Sequence, residues 1–117
     1  MNEYDNLTNE AKYTLITLYR NYLSKEKQLN DRFQARQIDS LKTISNILKD
    51  KYSENDVIDI IRELSSDSTS FINASWSSNY PSRMELNTKS ISVMQNKFKN
   101  NASNILDTLI KLKSLIF

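Results

Sequence analysis

The run from Ser53 to Leu86 leaves this chain few architectures to choose from. Ser53-Glu54-Asn55-Asp56 has the spacing of a capping box, in which the Ser53 hydroxyl accepts from the Asp56 N–H and so opens a helix. Val57, Ile60, Ile61 and Leu64 then recur at i, i+3, i+4 and i+7, one stripe of a 3.6-residue period and therefore a core face. The hydroxyl-rich Ser65 to Ser70 competes with the helical backbone and should end it. Beyond it Ile72, Ala74 and Trp76 alternate with polar residues, and after Ser78-Asn79-Tyr80-Pro81-Ser82 so do Met84 and Leu86. Period two on both sides of a Pro-containing turn predicts a hairpin. Two strands alone are marginal in water, so this hairpin must rest on helices.

Those helices are legible on either side. Thr8 is a plausible N-cap, and Ala11, Leu15, Leu18, Tyr19, Tyr22 and Leu23 predict a helix over Asn9 to Ser24, its tyrosines in the core or at its edge. Lys25 to Arg36 reads as a basic loop or frayed extension. Leu41, Ile44, Ile47 and Leu48 predict a second helix from Asp39 or Ser40 to about Lys51, separated from Ser53 by Tyr52 alone. After the hairpin, Thr88 caps a helix carrying Ile91, Met94 and Phe98; Asn100-Asn101 breaks it; and Ser103 caps a last helix. Trp76 is expected to plug the gap between hairpin and helices. The expected class is mainly α with a small β-hairpin, an α+β fold.

Composition narrows the chemistry. At 117 residues the chain is the size of one domain. It has no Cys, His or Gly. Thiolate and imidazole chemistry are thereby removed, and so are the glycine-rich phosphate loops. No catalytic residue, metal site or cofactor is expected, and the chain is not read as an enzyme. With no long apolar run and no basic, apolar leader at its start, it is expected to be cytoplasmic, without a membrane partner. The formal charge of +2 conceals segregation: residues 53–67 carry a net −4, while residues 20–52 and 68–117 each carry +4.

The order helix, helix, capped helix, hairpin, helix, helix is that of a winged helix-turn-helix domain with a C-terminal helical extension. Three stretches carry a resemblance to small, largely uncharacterised winged-helix proteins of low-GC Gram-positive bacteria. They are Leu7 to Tyr13, Ser53 to Leu64, and Met84-Glu85-Leu86-Asn87-Thr88-Lys89-Ser90-Ile91 through Phe98. The last is similar to the strand-to-helix exit "E-L-T-x-x-G-I", with Ser90 where glycine is usual, and Ser65 to Ser70 departs from the usual "R-A-G" ending of the recognition helix. The resemblance implies a winged-helix domain over residues 1–100, a C-terminal helix over 101–117, and DNA binding as a transcriptional regulator.

For double-stranded DNA, Arg62 suits guanine and Asn55 adenine in the major groove. Arg32, Arg36 and Lys42, together with Lys25 and Lys27, form the phosphate set, and Tyr80, Arg83 and Lys89 the wing. Ile105, Leu109, Leu112 and Ile116 form a short seam that either closes the core or pairs two copies into a homodimer. Against DNA stand the five carboxylates of residues 53–67. They motivate the rival expectation of a non-enzymatic interaction adaptor, plasmid- or phage-type, whose Glu54, Asp59 and Glu63 meet a basic protein partner.

Overall fold

The computed structural model describes residues 3–49, 51–99 and 101–117. After a 3-10 turn at Glu3–Asn6 come α1 (Asn9–Leu29), α2 (Arg32–Arg36), β1 (Gln37–Ile38), α3 (Leu41–Ile47), α4 (Glu54–Ser65), β2 (Ile72–Ser77), β3 (Tyr80–Leu86), α5 (Thr88–Phe98) and α6 (Ala102–Ile116). The chain is mainly helical, with a three-stranded antiparallel sheet in the order β1-β3-β2.

The capped helix begins where the sequence places it. Ser53 Oγ accepts from the Asp56 N–H at 3.2 Å, and Val57, Ile60, Ile61 and Leu64 are all buried. Each such side chain contributes on the order of 1.5–3 kcal/mol through its removal from water. The hydroxyls of residues 65–70 then end the helix by taking its carbonyls: Thr69 Oγ1 donates to Glu63 O at 2.7 Å, and the Phe71 N–H closes onto Leu64 O at 2.8 Å. That closure drives Phe71, which no periodicity singles out, fully into the core.

The hairpin turns more tightly than the sequence suggests. Ser78 and Asn79 are the whole loop, at φ 50° and 69°, the signature of the primed two-residue turns that match strand twist. Tyr80, Pro81 and Ser82 belong to β3 instead of the turn. Trp76 pairs with Pro81 and Ser75 with Arg83, so Ser82 is the extra residue of a bulge. Pro81 is tolerated because β1 reaches only Met84 and Glu85, leaving no ladder partner for the missing N–H. Chains usually place glycine at left-handed positions, and this one has none. Asn30, Lys49, Ser70 and Lys99 take them besides the turn pair, ending α1, α3's exit and α5 without it.

Several boundaries differ from expectation. Helix α1 runs on to Leu29, its extra turns tied by the Tyr22 hydroxyl donating to Glu26 Oε2 at 2.7 Å. The first part of Lys25 to Arg36 is thus a helical extension, the rest holds α2, capped by Asp31, and β1 follows it with two residues, too few to show a period. Helix α3 ends at Ile47, so more than Tyr52 lies between it and Ser53. Asn87, not Thr88, caps α5, and Asn101, not Ser103, caps α6, because in each pair it is the earlier residue whose carbonyl side chain meets the free N–H groups. Asn100 of the expected break lies outside the described residues.

One core unites these elements. Tyr19, Tyr22, Leu15, Ile16, Ile44, Met94 and Leu86 are fully buried within it, the two tyrosines stacked at 6.3 Å. Ser90 is fully buried too, its hydroxyl donating to Asn87 O at 2.6 Å. A serine therefore fills the glycine position of the exit motif without an unpaired polar group.

Candidate nucleic-acid interface

A DNA surface of the expected kind would comprise the outer face of α4 and the hairpin beside it. On α4, Asn55, Asp59 and Arg62 are exposed and Ile58 is half-buried, so the face opposite the core stripe is presented to solvent. The hairpin tip is anchored to this face. Arg62 Nη2 donates to Asn79 O and Asn79 Oδ1, both at 3.3 Å, and its guanidinium lies 4.5 Å from the Trp76 ring centroid. Arg62 therefore leans on the hairpin and not on Asp59 one turn before it. Trp76 does lie between hairpin and helix, but at the rim and not in the core: it is 37% exposed, its ring covered by the Arg62 guanidinium from the last turn of α4.

The other expected contacts divide among four places. Lys42 and Tyr80 come together in a groove of about 290 Å³ between α3, α4 and the hairpin tip, with Leu41, Ser45, Val57 and Glu54 in its walls. A cation, a phenol and a carboxylate thus share one concavity. Arg83 stands on the outer face of the sheet, across from Ser75 and beside Phe33 and Gln37 in a second groove of about 270 Å³. Arg36 reaches the same face but is engaged there: its Nη1 lies 3.4 Å from Glu85 Oε2 and 3.2 Å from Leu86 O. Arg32, at the start of α2, lies by the Tyr22 hydroxyl; burial and the Glu26 hydrogen bond push that phenol's pKa up, and Arg32 works against them.

Lys89 is the clearest departure. Sequence proximity groups it with the wing, yet it sits in the first turn of α5, ion-paired with Glu3 and donating to Thr69 O at 3.2 Å, its ammonium 5.8 Å from the Phe71 ring centroid. Its charge holds the amino-terminal turn to the serine-rich loop, so it is spent within the chain.

The carboxylates of α4 also divide. Glu63 is half-buried and holds Thr8, the N-cap of α1: the Thr8 N–H and hydroxyl both donate to it, at 2.7 and 2.8 Å. It is therefore unavailable to a partner. Glu54, Asp56, Asp59 and Asp67 are exposed and form no ion pair among the described residues.

The dimer seam is covered. Ile105, Leu109 and Leu112 are buried, α6 packing them along α1 within the same chain, and Ile116 is half-buried. The apolar residues that α6 leaves in water are others: Leu106 and Ile110, one turn apart on one edge, are 46% and 59% exposed, and Leu115, on the opposite flank, is 62% exposed. Among the described residues no helix is long and apolar enough to cross a membrane.

No protein family, curated protein or solved structure matches this chain.

Proposed function

We propose that the chain is a winged-helix protein that binds double-stranded DNA, with partial or full sequence specificity, in the manner of a transcriptional regulator. One observation supports the reading above the rest. The strand after the first helices, β1, pairs antiparallel with the second strand of the hairpin, Gln37 opposite Glu85 and Ile38 opposite Met84, and α3 and α4, in contact with each other, precede that hairpin. That order supports a winged-helix reading, under which α4 would take the recognition position. Its presented face carries Asn55 and Arg62 for base edges. Lys42 and Tyr80 lie beside it for phosphates, and Arg83, on the outer face of the hairpin, is left for the minor groove. The reading needs only one chain, and a two-fold partner would have to meet it elsewhere than at the inner seam of α6, which α1 occupies.

The test is fluorescence anisotropy with a random-sequence duplex of about 30 base pairs at low and near-physiological salt. Micromolar binding that collapses as salt rises is expected, because phosphate contacts release counterions. Lys42→Glu combined with Arg83→Glu should abolish it. No binding at low salt, or affinity unchanged in the double variant, would defeat the reading.

A second reading rests on a specific observation, the four unpaired carboxylates on or beside α4. They favour a basic protein partner over phosphates, and make the chain an interaction adaptor. Charge reversal at Glu54 and Asp59 separates the two: it should strengthen DNA binding by removing repulsion, and abolish capture of a basic protein.

A further inference from the structure

Helix α6 buries one stripe and leaves a second apolar edge in water. Together with α1 that edge lines a groove of about 210 Å³, formed by Tyr13, Thr17 and Arg20 from α1 and by Leu106, Ile110 and Lys113 among others from α6. The groove shares no lining residue with those around α4 and the hairpin. Its floor is apolar and one end is aromatic, where Tyr13 meets the Phe117 ring edge-on at 5.6 Å. Its rim is cationic: Arg20 and Lys113 are exposed and form no ion pair among the described residues.

The positive charge continues past the rim. The ammonium groups of Lys49 and Lys51 lie 5.6 and 5.5 Å from the Phe117 ring centroid, and Lys51 Nζ donates to Phe117 O at 3.2 Å. The neighbouring Lys113 ammonium pushes Lys49 below the ordinary lysine value. Like charges gathered beside an apolar slot repel one another until an anion arrives.

We propose that the α1–α6 groove docks an acidic amphipathic segment of a partner protein, whose apolar side chains cover Leu106 and Ile110 and whose carboxylates meet Arg20 and Lys113. Charge selects this occupant. A second copy of this chain in a two-fold contact would lay the cationic rim on its own equivalent, since an isologous interface sets each patch against itself. A helix laying i, i+3, i+4, i+7 anchors into a groove, with carboxylates on its flanks, meets both features at once.

The proposal is independent of DNA binding and is tested on the full chain. The probe is a fluorescein-labelled helical peptide of leucine and glutamate, its leucines at i, i+3, i+4 and i+7, read by anisotropy. Ile110→Glu, and separately Arg20→Glu with Lys113→Glu, should each weaken binding at least ~10-fold, while circular dichroism stays that of the parent. A matching peptide with lysine for glutamate should not bind. Leu106→Ser repeats the reading at a second exposed position should Ile110→Glu disturb folding. Equal affinity in parent and variants, or binding of the lysine peptide, would overturn the proposal. So would a dimer in sedimentation that Ile110→Glu dissolves, or binding to phosphatidylglycerol vesicles with none to the glutamate peptide.

Discussion

Helices α4 and α6 begin from the same design and end in opposite states. Both are amphipathic, and both bury one stripe in the common core: Val57, Ile60, Ile61 and Leu64 on α4, Ile105, Leu109 and Leu112 on α6. On α4 everything outside the stripe is polar, charged or half-covered, and its arginine is held by the hairpin. On α6 two further apolar positions stand on the rim of a groove with Arg20 and Lys113. The difference teaches where to look for partners. The α4 side offers polar groups and hydrogen bonds, suited to a nucleic acid or a charged surface, whereas the α6 side offers area that water solvates poorly.

The largest expected effect separates buried from presented apolar residues. Ile61→Ala should cost about 2–5 kcal/mol, because Ile61 is fully buried and its neighbours cannot all close the cavity. Ile110→Ala, at 59% exposure, should fall within about 0.5 kcal/mol. Urea unfolding of the two variants checks the pair. Comparable losses would mean that α6 packs its outer edge as tightly as α4 packs its stripe, and would break the comparison.

Alkaline pH gives the next effect, and it acts on neither helix directly. Burial, with the Asp5 charge behind it, pushes Tyr4 up to about 12, and burial likewise raises Tyr19 and Tyr22. These phenols stay neutral when folded but ionise near ~10 when unfolded. Their contribution to stability is complete below ~10 and is lost as pH climbs from there toward 12. Unfolding midpoints should therefore be flat through neutral pH and fall steeply above ~10, with tyrosinate absorbance appearing together with loss of helix. Loss of helix with no accompanying step of tyrosinate absorbance would show that the tyrosine layer between α1 and its neighbours is wetter than its burial indicates.

Legibility followed the same contrast between repeated and single signals. Helix α4, its Ser53 cap, the core tyrosines of α1 and the existence of the hairpin were readable because each rests on a local pattern repeated several times. What escaped lacked repetition. Two residues of β1 have no period, and only β3 makes them a strand. Phe71 is buried by a backbone closure from Leu64, which no side-chain spacing announces. Among the site residues, type was legible but engagement was not. Arg36, Glu63 and Lys89 have the chemistry of contacts, yet their partners Glu85, Thr8 and Glu3 lie 49, 55 and 86 residues away in sequence. The α6 seam shows the converse: its inner residues were right for a helix interface, and α1 of the same chain supplies that interface.

The smallest effect bears most directly on what α4 can do. The stack of Arg62 on Trp76 is solvent-exposed, and such a contact is worth about 0.5–1 kcal/mol, with the two long hydrogen bonds to Asn79 adding little. Arg62→Ala should therefore lower stability by about 1 kcal/mol or less. Trp76 is the chain's sole tryptophan, so its emission should nevertheless change clearly in that variant, since the guanidinium on its ring is removed. That signal makes the latch measurable during binding. If Arg62 reads a base edge it must leave Trp76 and Asn79, and added duplex DNA should alter the emission in the parent but leave Arg62→Ala unaffected. If binding occurs with the emission unchanged in both proteins, Arg62 stays on the hairpin. The guanidinium then serves to fix the angle between hairpin and α4, and any base readout falls to Asn55 and its neighbours at the start of that helix.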